Sequence, residues 1–272
     1  MKITTLSENT AAFPEILAEH GISILIESKE GKILFDTGQS ISVVHNSNSL
    51  GIDLSDLECI VLSHGHYDHT GGLGEVLRRT GEIEIFAHPD VFQKKYVKRK
   101  EGKRYIGIPY TREWLESRGA KFKIRKKPVE ILDNIIATGE IERKSFEEVD
   151  RSLYVMDGEN FIRDEVLDDQ ALIVRTEKGL FILLGCAHSG VINTIEHAME
   201  ITGEKRVYGV VGGTHLGFSD EKRIEETIKF LKRYEIERIG VSHCTGMKAS
   251  VKFASVFKER FFFNNAGVRF EI

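Results

Sequence analysis

The chain has 272 residues, 41% of them hydrophobic, so it can bury a sizeable core as one large α/β domain or two small ones. No run of about 18 apolar residues occurs, which excludes a membrane-spanning helix, and the first residues lack the apolar core of a secretion signal. The three cysteines have no disulfide-framework spacing. We therefore expect a soluble, cytoplasmic protein that does not act at a membrane.

Apolar runs bounded by turn residues predict a hairpin-rich sheet in the first third of the chain. A Glu-Gly pair at 30–31 closes one hairpin, and a loosely periodic helix is predicted at 40–50. The strands predicted in this part are 2–6, 22–27, 32–36, 59–62 and 83–87, with a short helix at 74–80. A long insertion is expected at about 92–130.

In the second half, predicted strands alternate with predicted helices. A hairpin-rich start followed by strand–helix units favours two sheets packed between helical layers, in a single domain spanning residues 1–272. The predicted strands are 131–137, 153–156, 170–175, 180–184, 206–211, 238–242 and 268–272. The predicted helices are 191–201, 220–234 and 249–258.

A loop directly after the strand at 59–62 carries three imidazoles and a carboxylate within six positions: His64, His66, Asp68 and His69. Two residues apart on extended chain, His64 and His66 project to the same side and can hold one ion. Asp68 and His69 follow as the chain turns into a helix, so they can reach a neighbouring ion. Imidazole and carboxylate ligands suit a zinc-like divalent ion, and the loop therefore predicts a two-metal site with a bridging water.

This His-x-His-x-Asp-His pattern resembles the signature of the metallo-β-lactamase superfamily. Further motifs look like the branch of methanopterin-precursor synthase-like proteins: 168–172 (Asp-Asp-Gln-Ala-Leu), 185–190 (Gly-Cys-Ala-His-Ser-Gly), 212–216 (Gly-Gly-Thr-His-Leu) and 243–246 (His-Cys-Thr-Gly). The resemblance implies a four-layer αβ/βα sandwich, an α/β fold with a mono- or dinuclear metal centre at one edge.

Three residues after later strands are further candidate metal ligands. His188 and His243 each follow an apolar strand, a position from which loop residues commonly reach a catalytic centre. His243 also resembles the last histidine ligand of the superfamily. Cys186 stands where many relatives carry a bridging aspartate, so it is either a thiolate ligand or a small buried core residue.

Two further positions carry alternatives. Asp168 and Asp169 lie near the place where relatives carry a third histidine ligand, and one of them, Asp169 in our prediction, donates an oxygen instead; the alternative is an acidic turn. His215 follows a Gly-Gly-Thr run and either orients substrate or acts as an acid, or is part of a helix-entry turn. Three histidines without partners are predicted to be structural: His20, His45 and His197.

Residues 94–127 form a basic segment with 14 Lys or Arg against 3 Asp or Glu, while the rest of the chain has 24 basic and 39 acidic residues. Aromatic residues are interleaved with these cations, which predicts a lid that binds phosphate by charge and a ring by stacking. Solvated surface is the simpler alternative. A polynucleotide would meet repulsion elsewhere on the molecule, which argues against nucleic acid. The predicted substrate-binding residues are Lys103, Arg104, Tyr105 and Trp114.

The main functional prediction is a metal-dependent hydrolase that uses a metal-bridged water on a phosphorylated or otherwise anionic small molecule. The predicted cofactors are two divalent ions, zinc first, with manganese or iron accepted by the same ligands. Asp68 is assigned to positioning the water and His215 to the leaving group. The oligomeric state, including a homo-oligomer, is left open.

Three alternatives accompany this prediction. The branch resemblance implies a synthase that transfers an activated pterin methylene onto a ribofuranosyl-aminobenzene phosphate and releases pyrophosphate. A non-catalytic ligand sensor that retains the metal site is the second. A di-iron redox enzyme is disfavoured, because such relatives carry Glu in place of His66 and add a flavin domain that this chain has no room for.

Overall fold

The strands and helices are taken from a computed structural model that describes residues 1–272. The strands are β1 (Lys2–Ser7), β2 (Ser23–Glu27), β3 (Lys32–Phe35), β4 (Leu57–Val61), β5 (Ile83–Ala87), β6 (Lys95–Arg99), β7 (Gly102–Tyr105), β8 (Ala120–Ile124), β9 (Val129–Leu132), β10 (Ile135–Ala137), β11 (Leu153–Asp157), β12 (Asn160–Arg163), β13 (Ala171–Thr176), β14 (Gly179–Leu184), β15 (Val207–Gly213), β16 (Arg238–Ser242) and β17 (Arg269–Glu271). The helices are α1 (Ser42–Ser49), α2 (Tyr67–Thr70), α3 (Leu73–Thr80), α4 (Arg112–Glu116), α5 (Val191–Thr202), α6 (Glu221–Leu231) and α7 (Gly246–Phe257).

Two large sheets and one small sheet are formed from these strands. The first has seven strands in the order β17-β1-β2-β3-β4-β5-β8, and the second has six in the order β16-β15-β14-β13-β10-β9. In both, an antiparallel part continues into a parallel part, which runs from β3 to β8 in the first sheet and from β14 to β16 in the second. The third sheet, β12-β11-β6-β7, is wholly antiparallel.

The two large sheets pack face to face over a shared core of Ile, Val, Leu and Phe side chains from β1–β4 of one sheet and β10 and β13–β15 of the other. The outer face of the first sheet is covered by α1, α3 and α4, and that of the second by α5, α6 and α7. Strand β14 is buried along its whole length, which explains its uninterrupted apolar sequence. The predicted four-layer αβ/βα sandwich is confirmed.

Local differences from the predicted elements have local causes. The strand predicted at 131–137 is two strands, because the chain turns at Asn134, which adopts a positive φ of 65°. Strand β12 was not predicted. All four of its residues are exposed, so no alternation of buried and exposed positions marks it as a strand. None of the helices combines the length and hydropathy needed to cross a bilayer.

The stretch predicted as an insertion at about 92–130 is distributed over all three sheets. Its first part forms the β6–β7 hairpin of the third sheet, but β8 extends the first large sheet and β9 the second. The lid role of this stretch and the single-domain organisation of residues 1–272 remain predictions.

Candidate metal centre

The histidine-rich loop follows strand β4 and lies at one edge of the first sheet. His66 is extended, with φ −78° and ψ 149°, and α2 begins directly after it. The rings of His64 and His66 lie next to each other and nearly perpendicular, at an interplanar angle of 80°, with His64 Nε2 2.9 Å from His66 Nδ1. Both side chains are buried, although imidazole is polar.

Loops from the second sheet complete the cluster. His188, after β14, lies with its ring centroid 4.7 Å from that of His64 and 4.9 Å from that of His66. Cys186 Sγ is 3.2 Å from His69 Nε2, and His243 Nε2, after β16, is 3.3 Å from Asp68 Oδ2. The structure thus brings together seven of the eight residues predicted as ligands, in overlapping groups whose donor atoms lie within 4.8 Å of one another: His64, His66, Asp68, His69, Cys186, His188 and His243.

Several inward-facing nitrogen atoms of this cluster have no hydrogen-bond partner. They are His66 Nε2 and both ring nitrogens of His188, all buried. Buried polar atoms in proteins are nearly always paired, so an unpaired group of this kind calls for an ion or ligand. The donor set, imidazole with carboxylate and thiol, is the chemistry that divalent zinc-like ions prefer, and the residues therefore fit a metal.

The pKa values of three of the imidazoles, those of His64, His66 and His188, also fit metal binding, which requires a free lone pair. Burial and the nearby Lys95 cation lower the pKa of His66 to about 3. Burial and the neighbouring rings lower the pKa values of His64 and His188 well below that of ordinary histidine. Burial also raises the pKa of the Cys186 thiol, so a thiolate at this position needs a cation beside it.

Asp36, which the sequence analysis did not single out, orients one side of the cluster. It follows β3, has φ 58°, and its Oδ2 lies 2.7 Å from His69 Nδ1 and 2.6 Å from Ser63 Oγ. Burial opposes the charged form of His69, but the carboxylates of Asp36 and Asp68 outweigh it and raise the pKa of this imidazole to about 9. A carboxylate behind a ligand histidine fixes its ring and tautomer. In the sequence, Asp36 is only an aspartate at the end of a strand, and such residues are too common to indicate a functional site.

Lys95 is a buried cation that anchors the metal-binding loop. Its Nζ lies 2.8 Å from Asp168 Oδ1 and 3.0 Å from Asp164 Oδ2, and Asp168 Oδ2 accepts a hydrogen bond from the Gly65 N–H at 2.7 Å. Asp168 is therefore engaged in a structural ion pair and is not free to act as a ligand. The sequence analysis placed Lys95 in the basic segment, where nothing distinguished it from exposed lysines.

Asp169 is not brought into any of the donor groups of the cluster. Its Oδ2 accepts from the Ser189 N–H at 2.8 Å, its Oδ1 is buried without a partner, and burial raises its pKa to about 6. It supports the loop that carries His188. The predicted ligand role of Asp169 remains a prediction without a matching contact.

The prediction that His20 is structural is wrong. Its Nε2 lies 3.2 Å from Asp68 Oδ2, and its ring centroid is 5.1 Å from that of His243. The histidine reaches the centre because Gly21 (φ +124°) packs so closely on the backbone oxygen of Asp68 that a Cβ would lie 2.1 Å from it. Only long-range packing of this kind reveals the role, since nothing near His20 in sequence suggests a partner.

The cluster forms the floor of a cleft of about 590 Å³. His215, held at φ 52°, lines it, with Nε2 4.0 Å from Asp150 Oδ2. The β6–β7 hairpin of the third sheet supplies a cationic wall, which we define as Arg99 and Arg104.

Three of the four predicted substrate-binding residues lie outside this cleft. Neighbouring strand residues point to opposite faces, so Lys103 and Tyr105 turn away from the wall on which Arg104 lies. Lys103 Nζ sits 3.3 Å above the ring of Phe161, and Tyr105 donates its hydroxyl to the Ile108 carbonyl. Trp114 is partly buried, stacks on Tyr110 at 4.5 Å and packs against the core beside the first sheet.

Comparisons with known proteins agree with this geometry. The metallo-beta-lactamase superfamily model matches residues 19–158. The chain belongs to the metallo-beta-lactamase superfamily. It is 36% identical to the 7,8-dihydropterin-6-methyl-4-(beta-D-ribofuranosyl)-aminobenzene-5'-phosphate synthase of Methanocaldococcus jannaschii, covering 96% of this chain and 93% of that protein. The predicted resemblance to the superfamily and to this branch is confirmed.

Two further relatives span nearly the whole chain. An uncharacterized protein of Methanocaldococcus jannaschii is 34% identical and covers 93% of this chain and 94% of its own length. The crystal structure of Tm1679, a metal-dependent hydrolase of the beta-lactamase superfamily, is 30% identical with a TM-score of 0.87, covering 100% of this chain and 99% of that one. The metallo-beta-lactamase fold therefore extends over the full chain.

Replacing Lys95 by Met should destabilise the protein strongly. The substitution leaves Asp164 and Asp168 buried without their cation, a loss that costs roughly 3–5 kcal/mol in comparable sites. Urea unfolding of Lys95→Met beside Lys94→Met, an exposed neighbour, measures the difference in free energy of unfolding. Equal stability of the two variants would contradict the anchoring role of Lys95.

Proposed function

We propose that this superfamily member is a metal-dependent hydrolase that acts on a phosphorylated small molecule. The observation that carries the proposal is a juxtaposition: buried imidazoles with unpaired ring nitrogens form the floor of a cleft whose wall carries two guanidinium cations. Neither Arg99 nor Arg104 lies within ion-pair distance of a carboxylate, whereas Lys121 and Lys123 of the same basic segment are paired.

The metal ions are assigned to two groups of residues. His64, His66 and His188 would hold one ion. Asp68, with His243 Nε2 at 3.3 Å and His69 Nε2 at 3.9 Å from its Oδ2, would hold the other, and Cys186 lies beside His69. When bound, divalent ions of this kind lower the pKa of water and stabilise negative charge that develops at a phosphorus or carbonyl centre. Zinc suits the donor set best, and manganese or iron accept the same ligands.

The chain's own residues recognise the substrate. Arg99 and Arg104 carry planar guanidinium groups that bind phosphate oxygens in pairs. Arg104 also lies against Tyr67 of the metal loop, with its guanidinium carbon 5.6 Å from the ring centroid. His215, backed by Asp150, lines the same cleft and is the residue we assign to protonating the leaving group.

Replacing His66 by Ala should remove both metal and activity. The variant loses an imidazole from the His64–His66–His188 group, so bound metal per chain should fall and turnover in a phosphoester and pyrophosphate screen should drop by about 100-fold or more. Elemental analysis and the screen are run in parallel with His45→Ala, which removes an exposed imidazole of α1. Full turnover by metal-free His66→Ala protein would refute the mechanism.

Replacing Arg104 by Gln should weaken phosphate recognition. Loss of one charge-assisted contact should raise the dissociation constant for inorganic pyrophosphate about tenfold in zinc-loaded protein, measured by titration calorimetry. Lys103→Gln removes a cation from the adjacent position on the opposite face of β7 and should leave binding unchanged. Equal losses in both variants would show that overall charge, and not the cleft wall, attracts the anion.

A second candidate function is favoured by the 36% identical relative, which matches this chain over nearly its whole length. That relative is a synthase of a dihydropterin-linked ribofuranosyl-aminobenzene phosphate. The corresponding reaction here would join an activated pterin methylene to a ribofuranosyl-aminobenzene phosphate and release pyrophosphate. A cationic wall beside a metal cluster suits this anionic pair as well as it suits a hydrolytic substrate.

One assay separates the two candidates. A synthase should release pyrophosphate from the activated pterin only when the aminobenzene phosphate is present, because the acceptor displaces the leaving group. A hydrolase should release it at the same rate without the acceptor. Pyrophosphate is quantified in both mixtures with zinc-loaded protein. Ligand-induced thermal stabilisation without any turnover would instead favour a sensor.

A further inference from the structure

Asn9, just beyond the end of β1, lies between two histidines of the metal centre. Its Oδ1 is 2.9 Å from His243 Nδ1, and its Nδ2 is 3.3 Å from His20 Nδ1. The neighbouring Glu8 carboxylate accepts the His243 N–H at 2.6 Å, so the backbone of His243 is held by the same turn. One amide side chain therefore contacts both rings.

The orientation of this amide is determined by the backbone. Asn9 Oδ1 also accepts a hydrogen bond from the Gly21 N–H at 3.1 Å. A backbone N–H can only donate, so the atom facing it must be the amide oxygen, and the NH₂ group must face His20. This contact removes the ambiguity that usually attaches to asparagine amides.

The two histidines are then forced into opposite tautomers. His243 Nδ1 faces an oxygen acceptor and must carry the proton, so in the neutral ring the lone pair is on Nε2, the buried atom that lies 3.3 Å from Asp68 Oδ2. His20 Nδ1 faces an NH₂ donor and must accept, so its proton is on Nε2, the atom that lies 3.2 Å from Asp68 Oδ2. His243 therefore offers a lone pair, and His20 offers an N–H.

We propose that Asn9 is a positioning residue that sets these complementary tautomers, and that His20 is a hydrogen-bond donor in the cleft and not a metal ligand. The His20 side chain is 51% exposed and lines the cleft, so its Nε2–H can serve an anionic substrate oxygen as well as Asp68. The substrate part of this proposal rests on the proposed function; the tautomer part does not.

The substitution Asn9→Asp tests the proposal directly. Aspartate retains an oxygen for His243 Nδ1–H and for the Gly21 N–H but has no donor for His20. The proton of neutral His20 should move from Nε2 to Nδ1, while His243 keeps its proton on Nδ1. Nitrogen-15 NMR of histidine-labelled protein at alkaline pH, where free imidazole is neutral, distinguishes the two tautomers. A merely structural role would not reverse one ring and spare the other.

Metal binding supplies an independent readout. Asn9→Asp should bind zinc nearly as tightly as the parent, whereas Asn9→Ala, which frees both rings, should bind it about 10–100-fold more weakly. Asn160→Asp, an exposed position on β12, is the matched control and should change neither tautomers nor affinity. An Nδ1 proton on His20 in the parent protein, or an unchanged His20 tautomer in Asn9→Asp, would overturn the proposal.

The donor role of His20 is measured with inorganic pyrophosphate as the probe. His20→Ala should retain zinc but bind pyrophosphate about tenfold more weakly, as expected for loss of one hydrogen bond to a charged group. Loss of zinc from His20→Ala would show that His20 is a ligand and overturn its assignment as a donor. These measurements need no turnover, so a failure of the proposed hydrolase function would leave their outcome readable.

Discussion

Inward-facing lone pairs of buried imidazoles are the constraint on which this site depends. Contacts among the rings alone leave several of their nitrogen atoms unpaired, so the rings are also held by residues outside the cluster. Three rings are held in the same way, through Nδ1: His64 by Ser63 Oγ at 2.8 Å, His69 by Asp36 Oδ2 at 2.7 Å, and His243 by Asn9 Oδ1 at 2.9 Å. Each contact leaves Nε2 directed inward. The outer hydrogen bonds, more than the ligands themselves, define where a metal would sit.

The sandwich explains why residues so distant in sequence can be held this way. The strands β3, β4, β14, β15 and β16 all end at one edge of the layered structure, and the loops that follow them carry Asp36, His64, His188, His215 and His243. Parallel strands place their carboxyl ends together, so each adds its loop to the same cluster. Four residues at this edge adopt positive φ angles without being glycine, a strain that clusters at functional sites: Asp36, Ala187, His215 and His243.

The features that could be predicted from the sequence depend on residues close together in the chain. The features that were missed depend on contacts between residues far apart in the chain. The metal loop, His188 and His243 could be found because each stands in a short motif after an apolar strand, and the strand–helix alternation was sufficient for the layer order. Asn9 contacts a residue 234 positions away, and Lys95 reaches Asp168 across 73 positions, so no local pattern could report either. Trp114 does not line the cleft, and its sequence could not show this, because an aromatic residue among cations has the same sequence pattern whether it packs against the core or faces a ligand.

One face of the β6–β7 hairpin carries both the lysine that anchors the metal loop and the cations that line the cleft. Every second residue of a strand points to the same face, so Lys95, Val97 and Arg99 lie on one face of β6. Arg104 pairs with Val97 across the hairpin and lies on that face as well. The buried end of this row anchors Asp168, which binds the metal loop at Gly65, while its outer end supplies cations to the cleft. Because one stiff strand carries both, a ligand that pulls on the cationic wall also acts on the metal loop. In the proposed function, a single row of side chains would therefore connect phosphate recognition with the loop that carries the metal ligands.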